Sequence, residues 1–190
     1  MENRISEIVK CEDGKIQINL EPDKSIVLLI GYIPEDIIDD KKLNENKLDR
    51  EIILSNKWNV SIATAFEYPN FKERFELKEL VNLALPKYLP KFSGHFKYSS
   101  DFDLKCTVGR GTIDLGDVFE VAELYINDKL VGTKIAPPYK FTLEEGILNE
   151  GKNKIDVIVT NTLDKQVFEI LSTTEPIQPS GMLGDIKIRY

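Results

Sequence analysis

The sequence predicts an all-β protein, an antiparallel β-sandwich of the jelly-roll type with a short β-rich segment at its N-terminus. Apolar and polar side chains alternate along many short stretches, which is typical of half-buried antiparallel strands. Turn signals separate these stretches at intervals of about 8–12 residues, as in sandwiches and jelly rolls. The stretches do not alternate with helical patterns, which argues against a doubly wound α/β sheet.

The alternating stretches are Lys15–Leu20, Trp58–Ile62, Phe96–Leu104, Ile113–Leu115, Ala122–Ile126, Ile155–Val159 and Ile186–Tyr190. Trp58 begins the second of them. Because Trp58 shares a face with Val60 and Ile62, we expect its indole ring in the core. Asn127 and Asp128 stand between two apolar runs, and both residue types tolerate positive φ. They therefore predict a two-residue hairpin turn.

Two segments have a helical rather than an alternating pattern, namely Glu35–Leu54 and Asn70–Leu85. The second is expected to run over one end of the sheet. We place a boundary at residue 57. Residues 1–56 would then be a β-rich N-terminal segment with a charged linker, and residues 57–190 would be the sandwich.

The N-terminal segment contains two expected strands, Lys15–Leu20 and the continuous apolar run Ser25–Gly31. Two strands alone are marginally stable in water. We therefore expect them either to dock on the sandwich or to belong to a preceding domain. In the second case their exposed edges would favour self-association.

Composition argues against several classes of protein. The 190 residues carry 25 Lys+Arg against 32 Asp+Glu, a formal net charge of -7, and 42% are hydrophobic. This apolar content excludes an intrinsically disordered chain, and the acidic balance argues against a general nucleic-acid binder. No apolar run approaches the ~18 residues of a membrane span. The N-terminus lacks the apolar region of a signal peptide, so a complete chain is expected to be cytoplasmic.

The sequence offers few residues for metal binding or nucleophilic catalysis. Cys11 and Cys106 lie 95 positions apart and belong to no C-x-x-C pair. We expect them to be free thiols rather than a disulfide. His95 is the only imidazole, so neither a zinc motif nor a convincing catalytic triad can be built.

A pair of carboxylates has the spacing of a catalytic pair on one strand. Asp101 and Asp103 stand two residues apart, on the same face as Lys97 and Ser99. We interpret that face as solvated, because the opposite face carries the apolar side chains. The sequence therefore predicts no catalytic residue, no metal site and no cofactor.

From residue 57 onward, several short motifs follow one another. They are Lys57–Ile62 (KWNVSI), Lys91–Phe102 (KFSGHFKYSSDF), Ile113–Val118 (IDLGDV), Glu123–Gly132 (ELYINDKLVG), Pro137–Phe141 (PPYKF), Gly151–Ile155 (GKNKI) and Ser180–Gly184 (SGMLG). In this order they resemble the galactose-binding-like, or sugar-binding, jelly roll of glycoside hydrolases of family 2 and of rhamnosidase-type enzymes. Asp128 stands where that pattern usually has glycine. Lys15–Gly31, which contains the motif Leu20–Ser25 (LEPDKS), resembles the last strands of a preceding sandwich.

The resemblance implies a non-catalytic accessory domain of a glycoside hydrolase in carbohydrate metabolism, and a chain that is a fragment of a larger enzyme. In family 2 enzymes the two catalytic carboxylates sit on a barrel domain that this chain is too short to contain. The expected partner is therefore a carbohydrate or the catalytic domain of the parent enzyme. A stand-alone carbohydrate-binding or protein-interaction module is the alternative. A third hypothesis, an enzyme in its own right, lacks a carboxylate pair.

Two residues are candidates for carbohydrate binding, because sugars stack their apolar faces on exposed aromatic rings. Tyr139 follows Pro137 and Pro138, which are expected to keep the loop extended and facing solvent. Asn161 follows a predicted strand, so polar donors gather at that strand end. If the chain has a sugar site, we predict Tyr139 and Asn161 as its contacts. The alternative is that the Tyr139 ring packs over the edge of the sandwich.

Overall fold

The structure, a computed structural model, describes residues 50–54, 57–106, 109–163, 166 and 178–190. Its strands are β1 (Glu51–Leu54), β2 (Trp58–Ala63), β3 (Lys72–Leu77), β4 (His95–Leu104), β5 (Gly111–Asp114), β6 (Asp117–Phe119), β7 (Val121–Ile126), β8 (Lys129–Lys134), β9 (Lys140–Leu143), β10 (Gly151–Thr160), β11 (Gly181–Leu183) and β12 (Ile186–Arg189). The strands predicted at Lys15–Leu20 and Ser25–Gly31 lie outside the described residues, as does Cys11. Cys106 is a free, half-buried thiol.

The strands form two main antiparallel sheets around one hydrophobic core, which confirms the predicted antiparallel β-sandwich. One sheet has four strands in the order β1-β12-β5-β9, and the other has six in the order β3-β2-β4-β10-β7-β8. A ribbon of β6 and β11 accompanies them. Trp58 is 1% exposed in this core, as its face predicted.

Strands β4 and β10 form the centre of the six-stranded sheet. They pair over their full length, from His95 opposite Thr160 to Leu104 opposite Gly151. Alternate side chains of β4 are buried in the core, as period-two alternation requires. The remaining side chains lie on the other side of the sheet, which we call the outer face.

The hairpin between β7 and β8 turns at Asn127 and Asp128, as predicted. Their φ angles are +51° and +62°, the left-handed values that a type I′ turn requires at both central positions. The Asn127 side chain also accepts a hydrogen bond from the Lys154 backbone N–H at 3.0 Å. Asparagine therefore both permits the turn and ties it to β10.

The helix predicted at Asn70–Leu85 is wrong. Residues 72–77 form β3, which pairs with β2 from Trp58 opposite Leu77 to Ile62 opposite Lys72. Leu77 is buried and Phe75 partly buried, while the side chains between and before them are exposed. The period-two pattern and pairing with β2 therefore prevail over the helical spacing of the apolar residues.

The helix predicted at Glu35–Leu54 is also wrong at its C-terminal end. Glu51–Leu54 is strand β1, which pairs with β12, and residues 35–49 lie outside the described residues. Arg50 and Tyr190 exchange backbone hydrogen bonds of 3.1 and 3.0 Å beside this pair. The four-stranded sheet thus includes residues that precede position 57.

Candidate functional site

Tyr139 is buried between the sheets, and the prediction that its ring faces solvent is wrong. The side chain is 5% exposed and belongs to the hydrophobic core. Its hydroxyl donates a hydrogen bond to the Glu120 carbonyl. Burial raises the pKa of the Tyr139 phenol, and Glu120 raises it further. The ring therefore presents no open face on which a sugar could stack.

Asn161 lies just after β10, half-buried, with its amide used inside the protein. Its Oδ1 accepts a hydrogen bond from the Gly94 N–H at 2.9 Å. Its Nδ2 donates to the Phe92 carbonyl at 2.8 Å and to Ser180 Oγ at 3.2 Å. The side chain therefore joins the loop before β4 to the segment before β11.

Neighbouring polar groups extend this junction. Ser93 Oγ donates to the Thr162 carbonyl at 2.8 Å, and Asn82 Oδ1 accepts from the Ser180 N–H at 3.0 Å. A Cβ atom at Gly181 would collide with the Tyr98 hydroxyl, and the φ angle there is +92°. The FSG and SGMLG motifs therefore have a structural role at this junction.

The carboxylates Asp101 and Asp103 lie exposed on the outer face, as predicted. Asp101 forms an ion pair with Lys152 at 3.0 Å. A general acid for glycoside hydrolysis needs a raised pKa. In the described part of the chain, the carboxyl groups with a shifted pKa are Glu51, Glu67 and Asp156, and in each the pKa is lowered.

The outer face of the central strands carries polar and aromatic side chains in register. Strand β10 lies between β4 and β7, so that each of its outer residues has a neighbour on either side. The rows are His95–Thr160–Val121, Lys97–Ile158–Glu123 and Ser99–Asp156–Tyr125. These nine residues form the middle of the outer face.

The loop between β2 and β3 brings aromatic rings to one end of this face. Phe66 is fully exposed, and Tyr68 is 40% exposed. The Tyr68 ring packs on the His95 imidazole with 4.5 Å between ring centroids, and on Phe71 edge-to-face with 5.8 Å.

Glu67 holds this loop in place. Its Oε2 accepts hydrogen bonds from the Thr64 hydroxyl at 2.9 Å and from the Thr64 N–H at 3.1 Å, while Oε1 accepts from Lys72 Nζ. The Lys72 and Thr64 hydrogen bonds lower the pKa of Glu67 to about 2. The loop therefore keeps an ionised carboxylate at its centre at neutral pH.

Two hydrogen bonds orient the polar groups beside Tyr68. His95 Nδ1 and Thr160 Oγ1 lie 2.8 Å apart, and the Tyr125 hydroxyl donates to Glu123 Oε2 at 3.0 Å. Burial lowers the pKa of His95, while the nearby Glu123 opposes this shift. The surroundings of His95 therefore favour the neutral imidazole over its charged form.

Asp156, in the same face, is only 5% exposed. Its Oδ2 lies 3.3 Å from Lys97 Nζ and 3.1 Å from Lys154 Nζ, whereas its buried Oδ1 makes no hydrogen bond of good geometry. Burial alone would raise the pKa of Asp156, but hydrogen bonds from Ser99 and Lys154 and the charge of Lys97 outweigh it. The net result is a lowered pKa.

Sequence reasoning missed Phe66 and Tyr68, although a signal was present. Three aromatic residues lie within the six positions 66–71, around Pro69, directly after an alternating stretch. Aromatic residues clustered at a turn are a pattern of loops that present side chains to solvent. The helical pattern of Asn70–Leu85 divides this aromatic cluster and so hides it.

The described residues also limit other kinds of site. They contain no group of three or more His, Cys, Asp and Glu side chains that could hold a metal ion. In the same ranges, no helix has the length and apolar character needed to cross a lipid bilayer.

Comparison with known proteins relates this fold to glycoside hydrolases. No family model matches the chain. A protein of Formosa agariphila, provisionally named as a beta-glucuronidase, is 26% identical over 141 residues, which cover 72% of this chain and 11% of that protein. The rhamnosidase from Novosphingobium sp. PP1Y shares 24% identity at a TM-score of 0.61, over 74% of this chain and 15% of that enzyme.

Two further solved structures agree in fold. The beta-glucuronidase from Ruminococcus gnavus matches with a TM-score of 0.57 and 13% identity, over 77% of this chain and 30% of that enzyme. A GH2 beta-galacturonidase from Eisenbergiella tayi matches with a TM-score of 0.52 and 16% identity, over 74% and 24%. The fold is thus a β-sandwich found in glycoside hydrolases. This chain spans less than a third of the length of each of these four proteins.

Proposed function

We propose that this chain is a non-catalytic, galactose-binding-like accessory domain of a larger glycoside hydrolase. The observation that carries the proposal is the similarity of its sandwich to segments of rhamnosidase, glucuronidase and galacturonidase enzymes. In each case the similar region is 30% or less of the enzyme. The domain would then support the catalytic domain that carries out hydrolysis.

The chemistry of the described residues supports this role. Hydrolysis of a glycoside needs a carboxylic acid with raised pKa and a second carboxylate about 5–9.5 Å away. Asp101 and Asp103 stand on an open sheet face, and Asp101 pairs with Lys152. Glu67 and Asp156 have lowered pKa values because cations and hydrogen-bond donors surround them. Neither environment suits a general acid at neutral pH.

An activity assay on this chain tests the proposal. We expect no release of aglycone from aryl galactosides, glucuronides or rhamnosides above the rate in buffer. Asp101→Asn and Asp103→Asn are the matched variants. Turnover that survives repurification and is lost in either variant would contradict an accessory role.

The coding sequence that adjoins residues 1 and 190 gives a second test. An accessory domain requires a catalytic barrel of a few hundred residues in the same polypeptide, or in a partner subunit that co-purifies with it. Finding a barrel with two facing carboxylates would support the proposal. A gene that ends with this chain, and a product that purifies alone, would favour the second candidate.

That second candidate is a stand-alone carbohydrate-binding module. It is favoured by one observation, the exposed rings of Phe66 and Tyr68 beside the polar outer face. Exposed aromatic rings on a fixed loop are unusual on a surface with no partner, because large apolar side chains are normally buried.

A further inference from the structure

We propose that the end of the outer face formed by Phe66, Tyr68, His95, Glu123 and Tyr125, which we call the aromatic patch, binds a neutral saccharide chain. This inference goes beyond the accessory role, because binding at the patch requires no catalytic domain. It also replaces the site predicted at Tyr139 and Asn161, whose side chains are used within the fold.

The loop and the Tyr68 ring are held in place before any ligand arrives, whereas the Phe66 ring is fully exposed. Glu67 fixes the loop through Thr64 and Lys72, and Tyr68 is supported from below by the His95 imidazole at 4.5 Å. A ring that is already ordered loses little conformational entropy on binding. The C–H groups of a pyranose face can therefore stack on Tyr68 at a low entropic cost, and Phe66 on the same loop offers a second exposed ring.

Polar groups lie within reach of the rings. Tyr125 donates to Glu123 Oε2 at 3.0 Å, and a carboxylate can accept about four hydrogen bonds. Glu123 is close enough to His95 to affect its pKa, and Tyr68 similarly affects that of Tyr125. Tyr68 lies on His95, and Glu123 and Tyr125 lie on the same outer face, across β10 from the strand of His95. These four side chains offer hydrogen-bond donors and acceptors to sugar hydroxyls.

Asp156 is a largely buried carboxylate in the middle of this face. It stands opposite Tyr125 in the register of β10 and β7. More than nine-tenths of the side chain is buried, yet Oδ1 makes no hydrogen bond of good geometry. Lys97 and Lys154 hold this carboxylate through Oδ2, so it is fixed in position before a ligand binds.

The charges of the face favour a neutral ligand over a uronate. The cations of this face and of the loop are paired: Lys97 and Lys154 with Asp156, and Lys72 with Glu67. Lys154 also pairs with Asp128 at 2.9 Å. Glu123 adds a negative charge beside the rings. A carboxylate on the ligand would meet repulsion from Glu123, whereas hydroxyl groups would donate to it.

Affinity electrophoresis of the 190-residue chain tests the inference. Native gels would contain β-1,4-galactan, xylan, mixed-linkage β-glucan or polygalacturonate. We expect retarded migration in at least one of the neutral gels and none in the polygalacturonate gel. Phe66→Ala and Tyr68→Ala should each weaken that retardation about tenfold.

Three controls keep the result specific. Ile53→Ala removes an exposed apolar side chain from the four-stranded sheet, and it should migrate like the parent chain. Phe66→Leu keeps an apolar side chain but removes the ring, so it should resemble Phe66→Ala. The NMR signal of the imidazole C–H, unique because the chain has one histidine, should shift when the retarding polysaccharide is added as soluble oligosaccharides.

Several results would overturn the inference. One is normal migration of the parent chain in every neutral gel, and another is retardation by polygalacturonate alone. Retardation that is unchanged in both Phe66→Ala and Tyr68→Ala would place binding elsewhere, and would favour the patch as a contact surface for protein. None of these results bears on the hydrolysis assay, so the accessory role is tested separately.

Discussion

Trp58 is the residue whose removal should damage the core most. Its indole is 1% exposed and lies between the sheets. Trp58→Ala should lower the free energy of unfolding by about 3–5 kcal/mol, because a large cavity remains. Urea unfolding followed by circular dichroism measures the loss. Phe66→Ala is the matched control, since its ring is exposed, and it should change stability by less than about 0.5 kcal/mol. A loss below about 1 kcal/mol for Trp58→Ala would contradict its place in the core.

Asn161 should matter for stability rather than for sugar binding. Asn161→Ala leaves the Gly94 N–H and the Phe92 carbonyl without their partners. We expect a loss of roughly 2–3 kcal/mol in the free energy of unfolding, because each group is partly buried. Asn59→Ala, on an exposed position of β2, is the control. Unchanged stability together with lost polysaccharide retention would instead assign Asn161 to a ligand site.

Trp58, Tyr139 and Asn161 show what can be predicted for a single residue from the sequence and what cannot. Alternation placed Trp58 correctly, because burial on a strand depends only on which face a residue occupies. The prediction that Tyr139 faces solvent is wrong, because the two preceding prolines define the local backbone but not the side chains that pack on the Tyr139 ring. Asn161 does lie directly after strand β10. Its hydrogen-bond partners, however, come from segments 67 and 19 positions away, which no local pattern reveals.

At the level of elements, the predicted hairpin is confirmed, whereas the predicted helices are wrong. The Asn127–Asp128 turn was predictable because both residues must adopt positive φ, which is a local requirement. Strand β3 could not be predicted in this way, because its apolar residues also fit the period of a helix. What decides its state is pairing with β2, a contact between segments separated along the chain. The outer-face rows depend on register in the same way, and register is set by the whole sheet.

Strand β1 should mark where the sandwich begins. Residues Asp49–Tyr190 form one compact unit, in which β1 pairs with β12 and Arg50 pairs with Tyr190. Deleting residues 1–49 should leave a folded sandwich with little change in Tm. Deleting residues 1–56 also removes β1, so it should lower Tm by several degrees.

The comparison of the two deletions isolates β1, since they differ by only seven residues. Thermal melting by circular dichroism gives both values. Precipitation or unfolding of the shorter deletion would show that the N-terminal segment completes the sandwich. Equal Tm values for the two deletions would show that β1 contributes nothing.

In the part of the chain that the structure describes, the carboxyl groups with a shifted pKa and His95 are all shifted in the same direction. Glu51, Glu67 and Asp156 have lowered pKa values in the folded protein because of hydrogen bonds and nearby cations, and burial lowers that of His95. Each group therefore binds protons more weakly when folded than when unfolded. Its stabilising contribution is present above its unfolded pKa and is lost as pH falls through the folded pKa.

The midpoint of urea unfolding should accordingly be higher at pH 7 than at pH 3, with most of the loss below about pH 5. Added salt should weaken the part that comes from the exposed Glu51–Arg189 and Glu67–Lys72 pairs. Asp156→Asn provides the comparison, because it removes one of the buried contributions and should flatten the pH dependence. A midpoint that stays constant or rises on acidification would contradict this account.

The backbone hydrogen bonds between Arg50 and Tyr190 have a consequence for engineering. Residues 50 and 190 lie side by side, at the outer ends of the paired antiparallel strands β1 and β12. A short flexible linker could therefore join position 190 to position 50, and new termini could be opened at the exposed Glu144–Gly146 turn. For the same reason the unit could be grafted into a surface loop of a host protein without forcing apart the two sides of that loop.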